Sequence, residues 1–564
     1  MKTICAARHE NKKGPNNMKK LMMIGGAVVA ILSIEAKAST VAYWPLTQAN
    51  GVRTTSSTVF ANEGDGGTMD AVPVVVRNYY GSQEGDAKYL PVGTNAFPTA
   101  YGVYDPVAKA NKAAATGLNF DSWSMNGNWY TQQYIASYSG CLKVSDADAL
   151  KLSTFTVECF VMPATGRSGY TQCLAVMPMS VVVDGSKTVV GKESWGIRFS
   201  NQDRPFLAYS YVAGGTTNYV NTTPSSGTKV PFDNRWHHLA FSVDRTTLKI
   251  YIDYVLEYTQ TLSGEVVYDQ DADLFIGGGT FPKQSYYGSM AHFRVSDEAL
   301  TPDKFLHLTR TERAADEPSD VALHINFETV DGISTKNIVF NQAATGSAVH
   351  LSDTNKTSYA EFDADIYTNK LYASRKDSKG FANSKSFIKK DKDSTGEPYL
   401  AWLPDDDVFH DSSFTVEMFV KIANESFPRW TNLFKRNYEN QSNANAMQFW
   451  IGNNSGAGIL HNGFTSGGIT DSARIDDANW HHIAVVFDKA TNKLRYYRDW
   501  QQVGVDTSIT ETIKESNPPI YILGHATAYG YMGRIDEVRI TKRALAAKEF
   551  LSPEPAQGLT IVFY

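Results

Sequence analysis

The chain has 564 residues, too many for a single hydrophobic core, so two or more domains are expected. It holds 53 Lys+Arg and 59 Asp+Glu, a formal net charge of −6, with no marked basic cluster, which argues against nucleic acid and anionic membrane surfaces as partners. The 30 tyrosines and 42 glycines suit many short strands and turns, and the apolar residues recur mostly with period two, which favours an all-β protein.

The N-terminus has the pattern of a secretory signal. Residues 18–38, MKKLMMIGGAVVAILSIEAKA, combine a basic start, an apolar run from Leu21 to Ile34 and a small-x-small ending. We therefore expect residues 1–38 to be removed, with translation starting at Met18 and the mature chain at Ser39. The apolar run is too short for a membrane span, and no later stretch approaches that length. The sequence predicts an exported protein, which is either secreted, held at the cell surface or periplasmic.

The first domain is predicted at residues 39–310. The strand VAYWPL (41–46) opens it, and residues 77–140, which show little periodicity, are expected to form a long loop or an insertion. A short helix is expected to begin at Thr301-Pro302, where a capping residue precedes a proline at the first helical position. Further strands are predicted at residues 154–162, 172–178, 194–200 and 274–279.

A β-hairpin signature lies at residues 235–253, RWHHLAFSVDRTTLKIYID, and a near-copy lies at 479–499, NWHHIAVVFDKATNKLRYYRD. Each hairpin is followed by a second shared block, at 288–305 and 533–550. The first pair of blocks is offset by 244 residues and the second by 245. Two unrelated blocks that repeat at nearly the same offset indicate a duplicated domain.

The second domain is predicted at residues 321–552, after a charged, proline-containing linker at 311–320. Its segment 350–400 is rich in lysine and aspartate and is expected to be solvated. Residues 553–564 follow as a tail. Within this tail, LTIVFY (559–564) predicts a final strand that either completes a sheet of this domain or pairs with the first domain.

The repeated blocks resemble the laminin G-like, concanavalin A-type jelly-roll family of bacterial extracellular proteins. The matching motifs are WHH-(I/L)-A-x-x-x-D, the closing G-x-(I/M)-x-x-x-R-(I/V) block, and the strands STFTVECFVMP (153–163) and SSFTVEMFVKI (412–422). The resemblance implies two tandem concanavalin A-like antiparallel β-sandwiches. It leaves the function open, because this fold hosts lectins, adhesins, accessory domains and some glycoside hydrolases.

The paired histidines are expected to be structural rather than metal ligands. Adjacent side chains of a strand point to opposite faces, so the two rings of His237-His238, or of His481-His482, cannot chelate one ion together. Trp236, His238 and Ala240 should share one face, and the imidazoles should be satisfied by hydrogen bonds in or near the core.

A calcium site is predicted in the second domain only. In the resembling family, an Asp and a Glu after the glycine of the closing block often lie near a structural calcium, and Asp536 and Glu537 match that pattern. The first domain has Ala291 and His292 at these positions. The alternative is a turn whose carboxylates pair with Arg534 or Arg539.

The hairpin tips carry the residues predicted to bind a ligand, which are Asp253, Tyr254, Asp499 and Trp500. The resembling family usually turns here with Asp-Gly, but both copies replace the glycine with a large aromatic residue. An exposed ring would offer a flat face to sugar C–H groups, with the aspartate beside it to accept hydroxyl hydrogens. The alternative is that the rings fold onto the neighbouring strand.

Three cysteines follow the signal, and all lie in the first domain. Cys159 and Cys173 fall on consecutive predicted strands, so in an oxidising compartment they either pair and leave Cys141 over, or remain buried thiols. The second domain has no cysteine, so the fold does not depend on a disulfide.

No catalytic residue is predicted. Hydrolases of this fold place carboxylates as E-x-D-x-x-E on one strand, and the nearest string, EFDADIY (361–367), has a different spacing. The sequence favours a secreted, non-catalytic protein that binds glycans through loops or a sheet face. The alternative is a cell-surface or matrix protein that binds protein partners, and a polysaccharide hydrolase is the least favoured function.

Overall fold

A computed structural model gives the fold, and it confirms the all-β prediction. It describes residues 39–77, 90–94, 101–108, 110–112, 117–120, 138–165, 171–184, 187–222, 229–268, 273–278, 286–310, 317–325, 342–343, 350–351, 361–363, 386–389, 401–403, 412–422, 431–436, 447–452, 459–462, 475, 479–508, 520–522 and 533–551. The predicted signal, most of the predicted linker and the predicted final strand at 559–564 lie outside these residues. Within them the chain forms 32 strands and no α-helix.

The sheet that contains the first hairpin, called sheet 1A, has eight strands. They run in the order β15 (Val255–Thr261), β14 (Thr247–Ile252), β13 (His237–Asp244), β8 (Thr154–Pro163), β17 (Gly288–Ser296), β6 (Leu118–Asn119) and β3 (Val92–Gly93), and β1 (Thr40–Trp44) also pairs with β17. The repeated sequence blocks therefore supply the centre of this sheet.

Two further sheets accompany sheet 1A and complete domain 1. Sheet 1B contains β12 (Thr216–Asn221), β11 (Pro205–Ala213), β10 (Lys187–Phe199), β9 (Gln172–Asp184), β16 (Leu274–Ile276), β7 (Tyr138–Val144) and β2 (Ala71–Arg77), in that order. Sheet 1C is small and contains β18 (His307–Arg310), β4 (Tyr101–Asp105) and β5 (Ala110–Lys112).

Domain 2 repeats the arrangement of sheets 1A and 1B. Sheet 2A has the order β21 (Glu361–Asp363), β22 (Ser386–Lys389), β32 (Gly533–Thr541), β24 (Phe414–Ile422), β28 (Trp480–Asp488), β29 (Lys493–Arg498) and β30 (Gln501–Ser508), with β19 (Val321–Ile325) on β32. Sheet 2B has the order β20 (His350–Leu351), β23 (Ala401–Leu403), β31 (Ile520–Ile522), β25 (Thr431–Arg436), β26 (Met447–Gly452) and β27 (Ile459–Asn462).

Pairing registers repeat between the two domains. In domain 1, His238 lies opposite Phe160 and Ala240 lies opposite Glu158. In domain 2, His482 lies opposite Phe419 and Ala484 lies opposite Glu417. Because a slip of one residue would turn every side chain to the other face, this register fixes which histidine of each pair faces the sandwich core.

The main core of domain 1 lies between sheets 1A and 1B. Phe155 of sheet 1A stacks on Trp195 of sheet 1B with ring centroids 5.9 Å apart, and both side chains are buried. Replacing such a ring with alanine typically costs about 3–5 kcal/mol of stability. The contact joins the strand predicted at 154–162 to the one predicted at 194–200.

The other face of sheet 1A is also buried. Trp236, Ala240 and Phe160 form a second apolar cluster there with Val103 of β4 and Leu308 of β18. Sheet 1C therefore covers this face, and it draws two of its strands from residues 77–140. The segment predicted as a long loop or insertion is therefore not a plain loop but an insertion with strands of its own, because β3 to β6 and the start of β7 lie in it.

The short helix expected after Thr301 is a single 3₁₀ turn, Pro302–Lys304, preceded by an extended Thr301. The chain returns to an extended conformation at Phe305, because Phe305 and Leu306 are buried in the second apolar cluster. Similar turns occur at Asp148–Leu150 and Ala547–Glu549. No helix in the described ranges has the length and apolarity that a membrane crossing requires.

Candidate functional site

The first hairpin ends in a tight turn at Asp253 and Tyr254, whose φ angles are 48° and 68°. Positive φ at both central residues defines a type I′ turn, which normally takes Asn-Gly or Asp-Gly. Side chains cost roughly 1–2 kcal/mol each in this conformation. Asp499 and Trp500 repeat the geometry in domain 2, at 48° and 65°. The contacts of these side chains offset the cost.

The carboxylate of Asp253 contacts both histidines of β13, the ring of His237 and the backbone of His238. One oxygen lies 2.9 Å from Nδ1 of His237, and the other accepts the backbone N–H of His238 at 2.9 Å. The backbone N–H of Asp253 donates to the carbonyl oxygen of His238 at 2.8 Å. The turn is thus attached to β13 by its side chain and by its backbone.

His237 lies between two carboxylates, because its Nε2 is 3.1 Å from Oδ1 of Asp233. Burial lowers the pKa of His237, but Asp253 and Asp233 together raise it to about 9. The ring is therefore a cation at neutral pH and donates through both nitrogens. A ring in this state has no lone pair for a metal ion.

His238 points to the opposite face of the sheet, where Glu158 receives it. Its Nε2 lies 2.8 Å from Oε2 of Glu158, and both side chains are fully buried. The same oxygen accepts the backbone N–H of Leu306 at 2.8 Å. Nδ1 of His238 has no hydrogen-bond partner among the described residues, which assigns the donated hydrogen to Nε2.

Arg294 completes this buried group. Its Nε donates to Glu158 at 2.7 Å, and its Nη1 donates to Asp105 of sheet 1C at 2.6 Å. Burial alone raises the pKa of Glu158, but Arg294 and His238 outweigh burial and hold that pKa below its usual value. The Glu158 carboxylate is thus kept ionised inside the protein by its partners.

Domain 2 builds the same group from the aligned residues. Nδ1 of His481 lies 2.9 Å from Asp499, Nε2 of His482 lies 2.9 Å from Glu417, and Nε of Arg539 donates to Glu417 at 2.7 Å. Burial raises the pKa of Glu417, but Arg539 and His482 hold it below its usual value. The backbone N–H of Leu551 donates to Glu417 at 2.8 Å, as Leu306 does to Glu158.

The two hairpin-tip aromatics differ in their surroundings. Tyr254 is 1% exposed, and its ring is stacked between His238, with centroids 4.4 Å apart, and His307, at 5.0 Å. Trp500 stacks on His482 at 5.1 Å, and its indole N–H donates to the carbonyl oxygen of Leu551 at 2.9 Å. Trp500 is only partly buried.

These positions bear directly on the residues predicted to bind a ligand. Both faces of the Tyr254 ring are covered by histidines, so the ring packs against β18 and is not accessible to a ligand. Asp253 is 4% exposed, and its carboxylate is engaged by the His237 ring and the backbone N–H of His238. Trp500 and Asp499 retain exposure, the Asp499 side chain being 30% exposed, and they are the part of the predicted site that a ligand can still reach.

Comparison with family models agrees with this geometry. The model for the concanavalin A-like lectin/glucanases superfamily matches residues 136–304 and 394–550, together more than half of the chain. The chain belongs to this family. The two matches contain both WHH hairpins and both closing blocks except Phe305, the last residue of the first block, so each laminin G-like domain carries its own copy of the Glu–His–Arg group.

Several solved structures are similar to parts of this chain. Domain 4 of an extracellular arabinanase from Geobacillus stearothermophilus, in complex with arabinotriose, is 14% identical, with a TM-score of 0.29 over 48% of this chain and 97% of that one. The CBM40 of an IT-sialidase from Ruminococcus gnavus, bound to α2,3-sialyllactose, is 13% identical, with a TM-score of 0.23 over 29% and 92%. Laminin G domains 4–5 of the mouse laminin α1 chain are 10% identical, with a TM-score of 0.18 over 83% and 96%. No curated protein sequence matches.

The predicted calcium ligands Asp536 and Glu537 lie at a β-bulge of β32, the strand of the closing block in the second laminin G-like domain. Glu537 is fully buried with φ 49°, and it lies 2.5 Å from Nε2 of His324, whose Nδ1 lies 2.6 Å from Glu317. The side chain of Asp536 lies outside the described residues. Within the described ranges no group of three or more acidic, His or Cys side chains is placed to hold a metal ion. Calcium binding here stays a prediction.

The same bulge in domain 1 holds a different pair. His292, with φ 52°, lies 2.5 Å through Nδ1 from the hydroxyl of Tyr43. Tyr43 and His324 both face the arginine of the closing strand in the pairing register. A Tyr–His pair in domain 1 therefore occupies the place of a His–Glu pair in domain 2.

All three described cysteines are free and buried. Cys159 lies in the core between the sheets, whereas Cys173 approaches the carbonyl oxygen of Gly278 at 3.5 Å and is not part of that core. Burial raises the pKa of the Cys173 thiol to about 12. The alternative of buried free thiols, rather than a Cys159–Cys173 bond, is what the structure shows.

Sequence reasoning did not single out Glu158 and Glu417 or recognise the role of Arg294 and Arg539. A signal was present, because each glutamate stands at the same place inside an apolar marker strand, TVECF and TVEMF. A charge repeated inside a buried strand predicts an ion pair, since burying an unpaired charge is costly. Of EFDADIY, residues 364–367 and the side chains of 361–363 lie outside the described residues.

Proposed function

We propose that this chain is an exported, non-catalytic carbohydrate-binding protein, and that one binding surface is the partly exposed Trp500 at the hairpin tip of domain 2. The observation that carries the proposal is the contrast between the two hairpin tips. Tyr254 has a ring on each face, whereas among the described residues only His482 stacks on Trp500.

The contrast has a cause in the sequence. His307, which covers the outer face of Tyr254, lies 245 residues before Ser552, at the same offset that relates the two closing blocks. Serine has no ring and cannot replace the stacked imidazole. In domain 1, His307 covers the corresponding face of Tyr254. In domain 2, no histidine stands at the aligned position to cover the face of Trp500 opposite His482.

Trp500 has the properties of a sugar platform. Its inner face is held against His482 and its N–H is fixed on Leu551, so the ring is already ordered before a ligand arrives. Ordering the ring in advance reduces the entropy cost of binding. An indole face offers apolar area to sugar C–H groups, and carboxylate oxygens of Asp499 have lone pairs left to accept sugar hydroxyls.

Export and the lack of catalysis rest on other support. Residues 18–38 have the pattern of a secretory signal, and a chain outside the cytoplasm meets extracellular glycans. The buried carboxylates Glu158 and Glu417 are each engaged by an arginine and a histidine, which suits a structural role.

The test is a glycan array with the chain from Ser39 onwards, with and without calcium, followed by titration of the best-binding oligosaccharide. Trp500→Ala should weaken binding by about five-fold to a hundred-fold, because about 1–3 kcal/mol of aromatic contact is lost. Trp500→Tyr should retain most of it. Val505→Ala is the matched control, since Val505 is 81% exposed on the adjacent strand β30 and should leave binding unchanged. Glycan binding that is indifferent to Trp500→Ala would refute the assignment of this surface, and no binding to any glycan would refute the function.

A further inference from the structure

Domain 1 carries an exposed aromatic residue on a different surface, the face of sheet 1B that points away from the core. Tyr219 of β12 is 43% exposed and is the only aromatic among the large exposed apolar side chains of the described residues. It lies opposite Ser210 in the pairing register, and the core-facing residue between Ser210 and Val212 is Tyr211. Val212, which is 53% exposed, therefore shares the outer face with Tyr219.

The hairpin that presents Tyr219 is well defined. Strands β11 and β12 pair without a register shift and turn at Gly214 and Gly215, whose φ angles are 59° and 75°. This is a two-residue turn that needs positive φ twice, which glycine supplies without strain. The exposed ring thus stands on a regular hairpin rather than on a loose loop.

A buried ion pair supports the ring from beneath. The hydroxyl of Tyr219 donates to Oε2 of Glu193 at 3.4 Å, and Glu193 pairs through its other oxygen with Arg198. The side chains of Glu193 and Arg198 are only 3% and 6% exposed. A Cβ at Gly196 would lie 2.6 Å from Oε2 of Glu193, so the absence of a side chain there leaves room for the carboxylate.

The hairpin that presents Tyr219 carries no charged side chain. Residues 205–228 contain no Asp, Glu, Lys or Arg, and the nearby positive charge of Arg198 is buried and neutralised by Glu193. Thr217 and Asn221 lie two residues before and after Tyr219 and therefore on the same face of β12. The outer face thus offers a hydroxyl, an aromatic ring and an amide in one row.

We infer that this face of sheet 1B is a second carbohydrate-binding site, and that its ligand is a neutral glycan. The ring and Val212 supply apolar contact to sugar C–H groups, and Thr217 and Asn221 supply hydrogen bonds to hydroxyls. An acidic sugar would have to lose hydration without gaining an ion pair, so the site disfavours uronic acids. The inference rests on the proposed function for its ligand class, but it uses a surface separate from Trp500. Two sites on one chain would raise the apparent affinity for a polymer.

The test uses the chain from Ser39 onwards and an array of neutral and uronate-containing oligosaccharides. Binding of the best neutral oligosaccharide is then titrated for Tyr219→Ala, Tyr219→Phe and Trp500→Ala. Tyr219→Ala should abolish binding at the Tyr219 site or weaken it at least ten-fold. Tyr219→Phe, which keeps the ring, should stay within about three-fold, and Trp500→Ala should leave binding at the Tyr219 site intact. Changing NaCl from low to high concentration should alter the affinity less than two-fold, because no ion pair forms.

Three results would overturn the inference. They are neutral-glycan binding that Tyr219→Ala leaves unchanged, a preference for uronates that salt removes, and the loss of all binding in Trp500→Ala. The last result would leave the Trp500 surface standing, whereas no glycan binding by the unaltered chain would refute both proposals. Because Tyr219 is exposed, Tyr219→Ala should fold, and an unchanged unfolding temperature verifies this.

Discussion

Glu158 and His238 form a fully buried carboxylate–imidazole contact of 2.8 Å, and Glu417 and His482 form its counterpart at 2.9 Å in the second domain. In both domains an arginine of the closing strand shares the glutamate, and the backbone N–H of a leucine after that strand binds it as well. In each domain the group therefore connects the strand that carries the glutamate (β8 or β24), the hairpin strand that carries the histidine (β13 or β28) and the segment that follows the closing block. Its repetition identifies it as the polar centre of each laminin G-like domain.

The first prediction concerns this centre. Glu158→Gln should destabilise domain 1 by roughly 3–5 kcal/mol, because Arg294 is left as a buried charge without its full counter-charge. Glu417→Gln should do the same to domain 2. Urea unfolding with hydrogen exchange resolved by domain measures both. Glu298→Gln is the control, because Glu298 is a partly exposed partner of Lys304 and should cost less than about 1 kcal/mol. Equal losses for Glu158→Gln and Glu298→Gln would contradict this account.

The second prediction concerns pH. The pKa of His237 is raised to about 9 by Asp253 and Asp233 against the effect of burial, above the ordinary value of 6.5. Its stabilising contribution is therefore complete below pH 6.5 and is lost as the pH rises through about 9. The loss should reach about 3 kcal/mol at most.

Comparison with His237→Gln isolates that contribution, since other groups titrate equally in both proteins. Hydrogen exchange in peptides of β13, followed from pH 6 to pH 10, should show the difference between the two proteins shrinking at the alkaline end. A difference that stays constant over this range would mean that His237 is not held as a cation.

The third prediction concerns the aromatic residues of the turns. Tyr254→Ala removes a fully buried ring stacked on two imidazoles and should cost about 3–5 kcal/mol. Trp500→Ala removes a larger but partly exposed ring and should cost less, about 1–3 kcal/mol. Thermal unfolding of the two variants gives the order. Should Trp500→Ala prove the more destabilising, Trp500 would be a packing residue and the proposed platform would lose its support.

Much of the fold follows from the sequence, because the signals that specify it are local. The hairpins at 235–253 and 479–499 and the strands VAYWPL and STFTVECFVMP show strong patterning and repeat, and the structure has β13, β14, β28, β29, β1 and β8 at these places. The placement of His238 and Trp236 on one face follows from strand alternation alone. Such features need no knowledge of distant residues.

The site could be predicted less well, because its partners are distant in sequence. Asp105 meets Arg294 across 189 residues, and no local pattern in residues 77–140 indicates that β4 would carry a buried ion-pair partner. The covering of Tyr254 by His307 depends on sheet 1C, which forms only because that segment returns to β18. The burial of Tyr254 therefore depends on sheet 1C, which the periodicity of the sequence did not predict.

The last prediction compares the β-bulges at His292 in domain 1 and Glu537 in domain 2, where two residues differ together. Tyr43 with His292 in domain 1 takes the place of His324 with Glu537 in domain 2, and both bulge residues have positive φ, 52° and 49°. Each domain thus satisfies a buried side chain on the bulge with a matched partner from the first strand. We expect the partners to be exchangeable only together.

His292→Glu alone places a carboxylate in a fully buried site where Tyr43 offers one hydroxyl donor and no positive charge, and should be strongly destabilising. Tyr43→His alone leaves two histidines in contact and removes a ring over which Nζ of Lys112 lies at 4.5 Å. The double variant Tyr43→His/His292→Glu recreates the pair of domain 2. Its loss in free energy of unfolding should therefore be smaller than the summed losses of the two single variants by at least about 1 kcal/mol.

Urea unfolding of the four proteins of this cycle measures the coupling free energy. As a control, Tyr43→Phe with His292→Glu should show no recovery, because phenylalanine cannot donate to the carboxylate. Additive losses in the main cycle would mean that the two pairs arose from unrelated packing needs. A favourable coupling in the main cycle that is absent from the Tyr43→Phe control would instead show that the bulge of each laminin G-like domain requires a hydrogen-bonded partner on its opening strand.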